Sequence, residues 1–366
     1  MERRKINIIS FTGQGLELSK ELKKSMEKGG KEESFLTSLY TKWSGYQGEA
    51  RDVKACKESL SEWAEHCFSQ KHPVIFIGAC AIAVRTIAPL IKNKLEDVPV
   101  LVIDEQGNFV IPILSGHYGG ANELAEEIAG KMNMTAVITT ATDVNGLFAV
   151  DVFARKNELT IANKEGIKQI SSKILDGESV TLWMDGIYEG ELPKRLLLSK
   201  EDNESAGRQK ASIIISPYHY EEELPHVKLY LIPKAFVIGI GCRKGKSVEE
   251  IGEVLEEHLK ELKIRKEAVL GIASIDLKKE EEGICRLAEK YGWGFTTFSK
   301  EELMQVPGNY TSSGFVKAVV GVDNVCERSA MAACGNGASL ILEKQAKNGI
   351  AIAIGMRKWS VNFHEI

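Results

Sequence analysis

The sequence predicts an α/β protein: a Rossmann-like mixed sheet in an N-terminal lobe that divides in two, then a separate, smaller α/β C-terminal domain. The first observation is rhythm. Short β-branched runs, INIISF (6–11), VIFIGA (74–79), VLVID (100–104), VIPIL (110–114) and AVITT (136–140), alternate with amphipathic stretches, as in a doubly wound sheet. The second is the short turn around Asn108 between VLVID and VIPIL, which reads as a hairpin and makes the sheet mixed rather than wholly parallel. The third is a fresh alternation opening at FVIGIG (236–241), just after Pro233. With 366 residues the chain is too long for one typical core, and the boundaries fall at 1–140, 141–232 and 233–366.

In chain order, helices are expected over 53–67 and 82–91 and from Gly120 onward. In that last helix Ala121, Leu124, Ala125, Ile128, Ala129 and Met132 recur at helical spacing. A helix over 164–175 and a strand VTLWM (180–184) follow. The polar run SKEDNESAGRQK (199–210) lacks large apolar groups and reads as a surface loop or linker. Strands IIIS (213–216) and KLYLIP (228–233) lead into the third region. There Ser247 and Glu250 form a capping-box signature before a helix over 248–262, with Val248, Ile251, Leu255, Leu259 and Leu262 on one face. Strand VLGIAS (269–274), helices over 280–291 and 324–334, and strands LILE (340–343) and IAIAI (350–354) complete the pattern.

Composition narrows the function classes. A net charge of -4 argues against a phosphate-backbone binder, so no nucleic acid partner is expected and any anionic ligand must meet local positive charge. The start MERRKINIIS turns directly into a short strand, and no apolar run has the length of a signal or membrane segment, so a cytoplasmic protein without a membrane partner is expected. Seven scattered cysteines show no metal-knuckle or redox spacing, and no metal site is expected. Cys242, beside Arg243 and Lys244 in a glycine-rich turn, is where a thiolate would be stabilised; a small buried apolar role is the alternative.

The chemistry concentrates in two neighbouring segments. In SGHYGGAN, Gly119 and Gly120 would leave the amides of a helix's first turn uncovered, an anion-binding arrangement, with His117 projecting from the same turn. His117 is suited to general acid or base work near neutral pH; a hydrogen-bonded loop histidine is the alternative. TTATDVNG supplies hydroxyls from Thr139, Thr140 and Thr142, the Asp143 carboxylate and the Asn145 amide at the carboxyl end of a strand, the edge where open α/β sheets bind ligands. Alternatively Thr142 or Asp143 caps a helix. Arg85, in the apolar helix CAIAVRTIAPLI, must pair with an acid such as Asp104 or Glu105 or face a cleft.

Two nucleotide-like patterns are defective. GCRKGKS has three residues between Gly241 and the Gly245-Lys246-Ser247 triplet where a P-loop needs four, and GQG at Gly13 to Gly15 has Leu18 where a third glycine belongs. What remains at the first is a basic turn at a helix start, suited to a carboxylate. Glu327, Arg328 and Lys344 by themselves read as ordinary surface charges.

Taken together, GACAIAVRTIAPLI, VLVIDEQGNFVIPILSGHYGGANELAEEIA, VITTATDVNGLFAVDVFA, LIPKAFVIGIGCRKGKSVEEI, SIDLKKEEEGI, NVCERSAM and LEKQAKNGIAIAI resemble, in order, the cobalt-precorrin-5A hydrolase (CbiG) family of anaerobic cobalamin biosynthesis. The likeness covers most of 74–160 and 230–355 and is loose over the first 70 residues and 160–228. One departure is GACAIAVR, with Cys80 and Ala81 where a second glycine is expected.

The resemblance implies a hydrolase of tetrapyrrole (porphyrin) metabolism that opens a δ-lactone on a cobalt-bearing corrin precursor with water and releases acetaldehyde. No cofactor of its own is implied, since cobalt arrives in the substrate. His117 and Asp143 are the catalytic candidates. Arg85, Ser115, Gly116, Gly119, Gly120, Asn122, Thr139, Thr140, Arg243, Lys244, Glu327 and Lys344 are the substrate-binding candidates. A homodimer and hand-over contacts with neighbouring pathway methyltransferases are left open as partners. A non-catalytic corrinoid binder and a nucleotide-dependent enzyme are the rival readings.

Overall fold

The computed structural model describes residues 5–28, 35–48, 50, 52–93, 96–199, 204–220, 224–311 and 322–364. The chain divides into two compact units, Met1–Val152 and Phe153–Ile366.

The first unit runs β1 (Lys5–Ser10), α1 (Gly13–Met26), β2 (Leu36–Thr41), β3 (Val53–Ala55), α2 (Leu60–Ser69), β4 (Val74–Ile77), α3 (Cys80–Ile87), β5 (Val100–Ile103), β6 (Phe109–Leu114), α4 (Ala121–Met132) and β7 (Thr135–Ala136). Two short helices, α5 (Ala141–Val144) and α6 (Val150–Lys156), follow. The seven strands lie in the order β3-β2-β1-β4-β5-β6-β7. Strands β3, β2, β1, β4 and β5 are parallel to one another, while β6 returns antiparallel to β5 through the expected hairpin, Val102 facing Ile111. Asp104 closes that turn, its carboxylate accepting from the Phe109 amide at 2.6 Å and the Gln106 amide at 3.2 Å.

Strand alternation feeds two cores, because successive side chains point to opposite faces. Ile6, Ile8, Ile75, Ile77, Leu101 and Ile103 meet α1 and α4 on one face, through Leu16, Leu22, Leu124 and Ile128. Ile9, Val74, Phe76, Val100 and Val102 meet α2 and α3 on the other, around Trp63 and Ile87. The parallel strands are therefore buried on both sides, which is why their sequences are continuous apolar runs.

The second unit contains two five-stranded sheets. One uses β8 (Thr160–Ile161), α7 (Lys164–Leu175), β9 (Val180–Met184), β11 (Leu196–Leu198), α8 (Glu204–Lys210), β12 (Ile213–Ile215) and β13 (Leu229–Ile232), in strand order β11-β9-β12-β13-β8. The other uses β14 (Phe236–Cys242), α9 (Val248–Glu261), β15 (Val269–Ile275), α10 (Glu282–Tyr291), β16 (Gly294–Phe298), α11 (Lys300–Gln305), the helix Val325–Cys334, β17 (Ser339–Lys347) and β18 (Ile350–Met356), in strand order β16-β15-β14-β18-β17. A two-stranded ladder joins β10 (Ile187–Glu189) to β19 (Ser360–Asn362). The helix Val325–Cys334 lies directly on β14 at Gly239, where a Cβ would come within 1.8 Å of the Cys326 carbonyl oxygen. Among the described residues no helix is long and apolar enough to cross a membrane.

Several expected elements differ. Residues 53–67 are not one helix: Val53–Ala55 pairs with Leu39–Thr41 as an edge strand, and the helix starts at Leu60, where Ser59 and Glu62 form a capping box. The expected strand 136–140 stops at Ala136, after which the chain leaves the ladder toward Thr140. Within the expected linker, residues 200–203 lie outside the described set, but Glu204–Lys210 is helical. A cation replaces the missing apolar anchor there: the Arg208 guanidinium sits 5.1 Å from the Trp183 ring and 4.4 Å from that of Tyr220.

Gly239→Ala should destabilise the second unit by about 3 kcal/mol or prevent its folding, since only backbone movement relieves the clash. Gly252→Ala, mid-helix with its nearest neighbour at 3.5 Å, should be neutral or gain up to about 1 kcal/mol. Urea unfolding of both variants checks the pair; equal midpoints would refute the close approach.

Candidate functional site

Two loops of the first unit converge, and both are shaped by their own backbone bonds. The 115–120 loop leaves β6 at Ser115, whose φ of +56° turns the chain sharply and whose hydroxyl donates to the Asp97 carbonyl at 2.7 Å. Gly120 N donates to His117 O, Ala121 N to Ser115 O and Asn122 N to Gly116 O, each at 3.0 Å. Of the amides expected to stand free for an anion, those of Gly120, Ala121 and Asn122 are taken by the loop's own carbonyls. The tight fold also explains Gly119, where a Cβ would lie 2.4 Å from that of Ser115.

The second loop carries Thr139 to Gly146 through α5. Thr140 is its N-cap without a side-chain cap bond, so neither Thr142 nor Asp143 serves as the helix cap. Their side chains turn to the first loop instead. His117 Nε2 lies 2.8 Å from Thr142 Oγ1 and 3.0 Å from Asp143 Oδ1. Asn122 is buried and donates through Nδ2 both to Thr140 Oγ1, at 2.9 Å, and to Asp143 Oδ2. Asp143 therefore has one oxygen on His117 and the other on Asn122. On the far side of the ring, the buried Asp151 carboxylate lies 3.8 Å from His117 Nδ1, beyond hydrogen-bond length but within ion-pair range. Exposure falls across the cluster: 32% for the Asp143 side chain, 16% for His117 and 7% for Asp151.

This arrangement puts an imidazole between two carboxylates, one reachable from water and one buried. With Nε2 engaged by Thr142 and Asp143, a water on that side meets the Asp143 carboxylate as its proton acceptor, while the imidazole and the buried Asp151 share the charge. Among the described residues no three His, Cys, Asp or Glu side chains converge as metal ligands.

The edge of the sheet differs from the expected one. His117 follows the carboxyl end of β6, but β6 runs against β5, with Leu114 opposite Val100. The cluster consequently sits where the parallel strands begin, not at their carboxyl ends, where the ligand crevice of an open α/β sheet ordinarily lies. At that other edge the GQG turn is occupied internally: Thr12 caps α1 and donates to Glu105 at 2.5 Å.

The remaining candidates are placed apart. Arg85 is exposed on α3, on the face of the sheet opposite α4, and so carries no burial cost that an acid or a cleft must repay; Asp104 and Glu105 are engaged as described. Cys80 and Ala81 begin α3 itself, in place of a longer glycine turn. Thr139 and Asn145 are exposed, Asn145 bonding the Ala141 carbonyl at 2.7 Å.

Arg243, Lys244, Glu327 and Lys344 belong to the second unit. Arg243 and Lys244 are exposed beyond β14. The basic turn there does hold a carboxylate, that of Glu281, which accepts from Gly245 N at 2.6 Å and pairs with Lys278 at 2.7 Å. Burial opposes that charge, yet Lys278 and the amide hold the Glu281 carboxyl below its usual range. Burial pushes the Cys242 thiol up, against the stabilised thiolate considered above. Glu327 is not a surface charge: it is buried, and its oxygens accept from the amides of Thr311 at 2.9 Å and Lys344 at 2.7 Å. Arg328 is held by Asp323 at 2.8 Å and stacks 4.6 Å from the Tyr310 ring.

Asp151 escaped the sequence reading. Its signal was a carboxylate inside the apolar run LFAVDVFA, the same criterion that singled out Arg85. A second polar cluster also went unseen: Asp185, Ser216 and Tyr220, beyond the carboxyl ends of β9 and β12, bond one another at 2.6 Å. Burial first, then the Asp185 bond, drives the Tyr220 hydroxyl up.

Three family models match the chain: one described as Cobalamin synthesis G N-terminal over 62–143, one as Cobalamin biosynthesis central region over 148–233, and one as Cobalamin synthesis G C-terminus over 236–355. The central match includes the stretch where motif likeness is loose. A cobalt-precorrin-5A hydrolase of Salmonella typhimurium is 34% identical over 80% of this chain and 84% of its own. One from Priestia megaterium is 29% identical over 95% and 94%. A crystal structure described as a cobalamin biosynthesis protein G homolog from Sulfolobus solfataricus aligns over 97% of this chain and 98% of its own, at 26% identity and a TM-score of 0.39.

Asn122→Leu keeps the side-chain size but removes both donors. It should cost about 1–3 kcal/mol and speed hydrogen exchange at the Val144 and Asn145 amides of the second loop. Unchanged exchange there would show that the bridge does not hold that loop.

Proposed function

Because the chain belongs to the cobalamin synthesis G family, we propose that it is a cobalt-precorrin-5A hydrolase in which His117 and Asp143 activate the attacking water. The observation that carries this reading is the contact of His117 Nε2 with Asp143 at 3.0 Å and Thr142 at 2.8 Å on a partly open edge. Cobalt-precorrin-5A hydrolase is the name borne by its relatives of 34% and 29% identity.

A lactone carbonyl is attacked by water, which must lose a proton as the carbon–oxygen bond forms. The His117–Asp143 pair takes that proton, and Asp151 compensates the imidazolium from its other side. The acyl C–O bond breaks, leaving a carboxylate on the macrocycle and an oxygen on the departing carbon. That oxygen drives cleavage of the bond to the ring, so the two-carbon fragment leaves as acetaldehyde while the bonding electron pair stays on the macrocycle. The steps need water and no redox partner; cobalt enters as part of the substrate. The Thr140 hydroxyl, which accepts from Asn122 at 2.9 Å, keeps its own proton as a donor for the developing oxyanion.

Incubation of the protein with cobalt-precorrin-5A should release acetaldehyde, trapped as its hydrazone, in step with conversion of the corrinoid. His117→Ala should lower kcat by on the order of 10²- to 10⁴-fold with the corrinoid still bound. Binding without any acetaldehyde from the wild type would overturn the hydrolase reading in favour of a corrinoid-binding protein, and full turnover by His117→Ala would remove His117 from the mechanism.

A further inference from the structure

The second unit contains a surface-open cavity of about 170 Å³ whose lining includes Glu158, Lys234, Arg357, Lys358, Trp359 and Ser360. We propose that this cavity binds a short carboxylate, its anionic head met by the cations Lys234, Arg357 and Lys358 of the lining.

Charge is the first argument. Three cations face one carboxylate, Glu158, and among the described residues no acidic side chain forms an ion pair with Lys234, Arg357 or Lys358. An acidic protein with net charge -4 has concentrated unneutralised positive charge in one concavity. Lys234 is half-buried at the head of β14, and its ammonium reaches only the Val269 carbonyl, at 3.3 Å. Burial lowers its affinity for the proton, with Glu267 acting the other way, so an anion beside it would offset the cost of burying that charge.

Size and shape narrow the ligand. Pockets that enclose whole drug-sized ligands run to about 300–1,000 Å³, so 170 Å³ admits a short acid or one arm of a larger molecule, not a macrocycle. The lining is mainly polar, which suits a head group rather than a long apolar tail, and the Arg357 guanidinium is a planar fork that matches a carboxylate. The backbone beneath them is tied down: Arg357 N donates to the Ala235 carbonyl at 2.9 Å, and Ser360 begins the ladder with Ile187. Two sources share this chemistry, a free short-chain carboxylate and an acetate or propionate arm of the corrinoid. The second rests on the hydrolase reading above.

Saturation-transfer NMR on the methyl group of sodium propionate, with the full-length protein, tests both levels. Propionate should bind, and Arg357→Gln and exposed Lys358→Gln should each weaken it about tenfold, while Glu158→Gln should tighten it severalfold. Unchanged urea midpoints verify that the variants fold. No transfer from propionate, or equal affinity in the wild type and both cation variants, overturns the site. A polycarboxylate corrinoid that displaces propionate, when its fully amidated counterpart does not, supports the arm; propionate bound without displacement by the polycarboxylate overturns the arm and leaves the free acid as ligand. None of these readings requires turnover, so a failure to release acetaldehyde and a failure of this site are seen separately.

Discussion

The Asn122 side chain is the tie on which the candidate site depends. Its Nδ2 spans from α4 to Thr140 and Asp143, and its backbone amide closes on the Gly116 carbonyl at 3.0 Å. One buried amide thus fixes both the loop that carries His117 and the loop that carries its partners. It explains two sequence constraints at once: a Cβ at position 116 would lie 2.7 Å from Asn122 Oδ1, and the helix must begin with a residue that donates sideways rather than one that packs. A buried amide stripped of its acceptors would cost more than the bonds contribute, so the two loops are held to one geometry.

The β5–β6 hairpin sets where that geometry occurs. By reversing the chain it takes the cluster away from the carboxyl ends of the parallel strands, where α/β sheets ordinarily bind ligands, and puts it at their starting edge. The anion-binding positions that such a fold usually offers are filled from within. Glu105 takes the Thr12 hydroxyl beside the GQG turn, and Glu281 takes the Gly245 amide in the turn that imitates a P-loop. Defective spacing in the sequence and the internal partners of Thr12 and Gly245 in the structure point the same way, against a phosphate at either turn.

Much of the architecture was legible because periodicity and turn chemistry are local. The hairpin at Asn108, the helix at Lys164–Leu175 and the Ser247–Glu250 capping box all follow from short-range rules, and all are present. What escaped was decided at long range. The burial of Glu327 depends on amides 16 and 17 residues away, and a charge beside Arg328 gives no local hint of it. The helix at Glu204–Lys210 rests on Arg208 meeting two aromatic rings brought by other strands. In the site itself, His117 and Asp143 stood out by chemistry, whereas the free amides inferred at Gly120 required knowing that the chain would turn left-handed at Ser115 and let the carbonyls of Ser115, Gly116 and His117 take them. Asp151 was visible in principle, as a carboxylate among apolar neighbours.

The central claim is that His117 and Asp143 act as one unit, since the carboxylate that contacts the ring at 3.0 Å is itself held by Asn122. A double-mutant cycle on acetaldehyde release, with His117→Gln, Asp143→Asn and the pair, addresses it directly. Groups acting together lose their effect together, so the double variant should be no slower than the slower single one; losses that multiply would mean that the two side chains act independently and contradict the account.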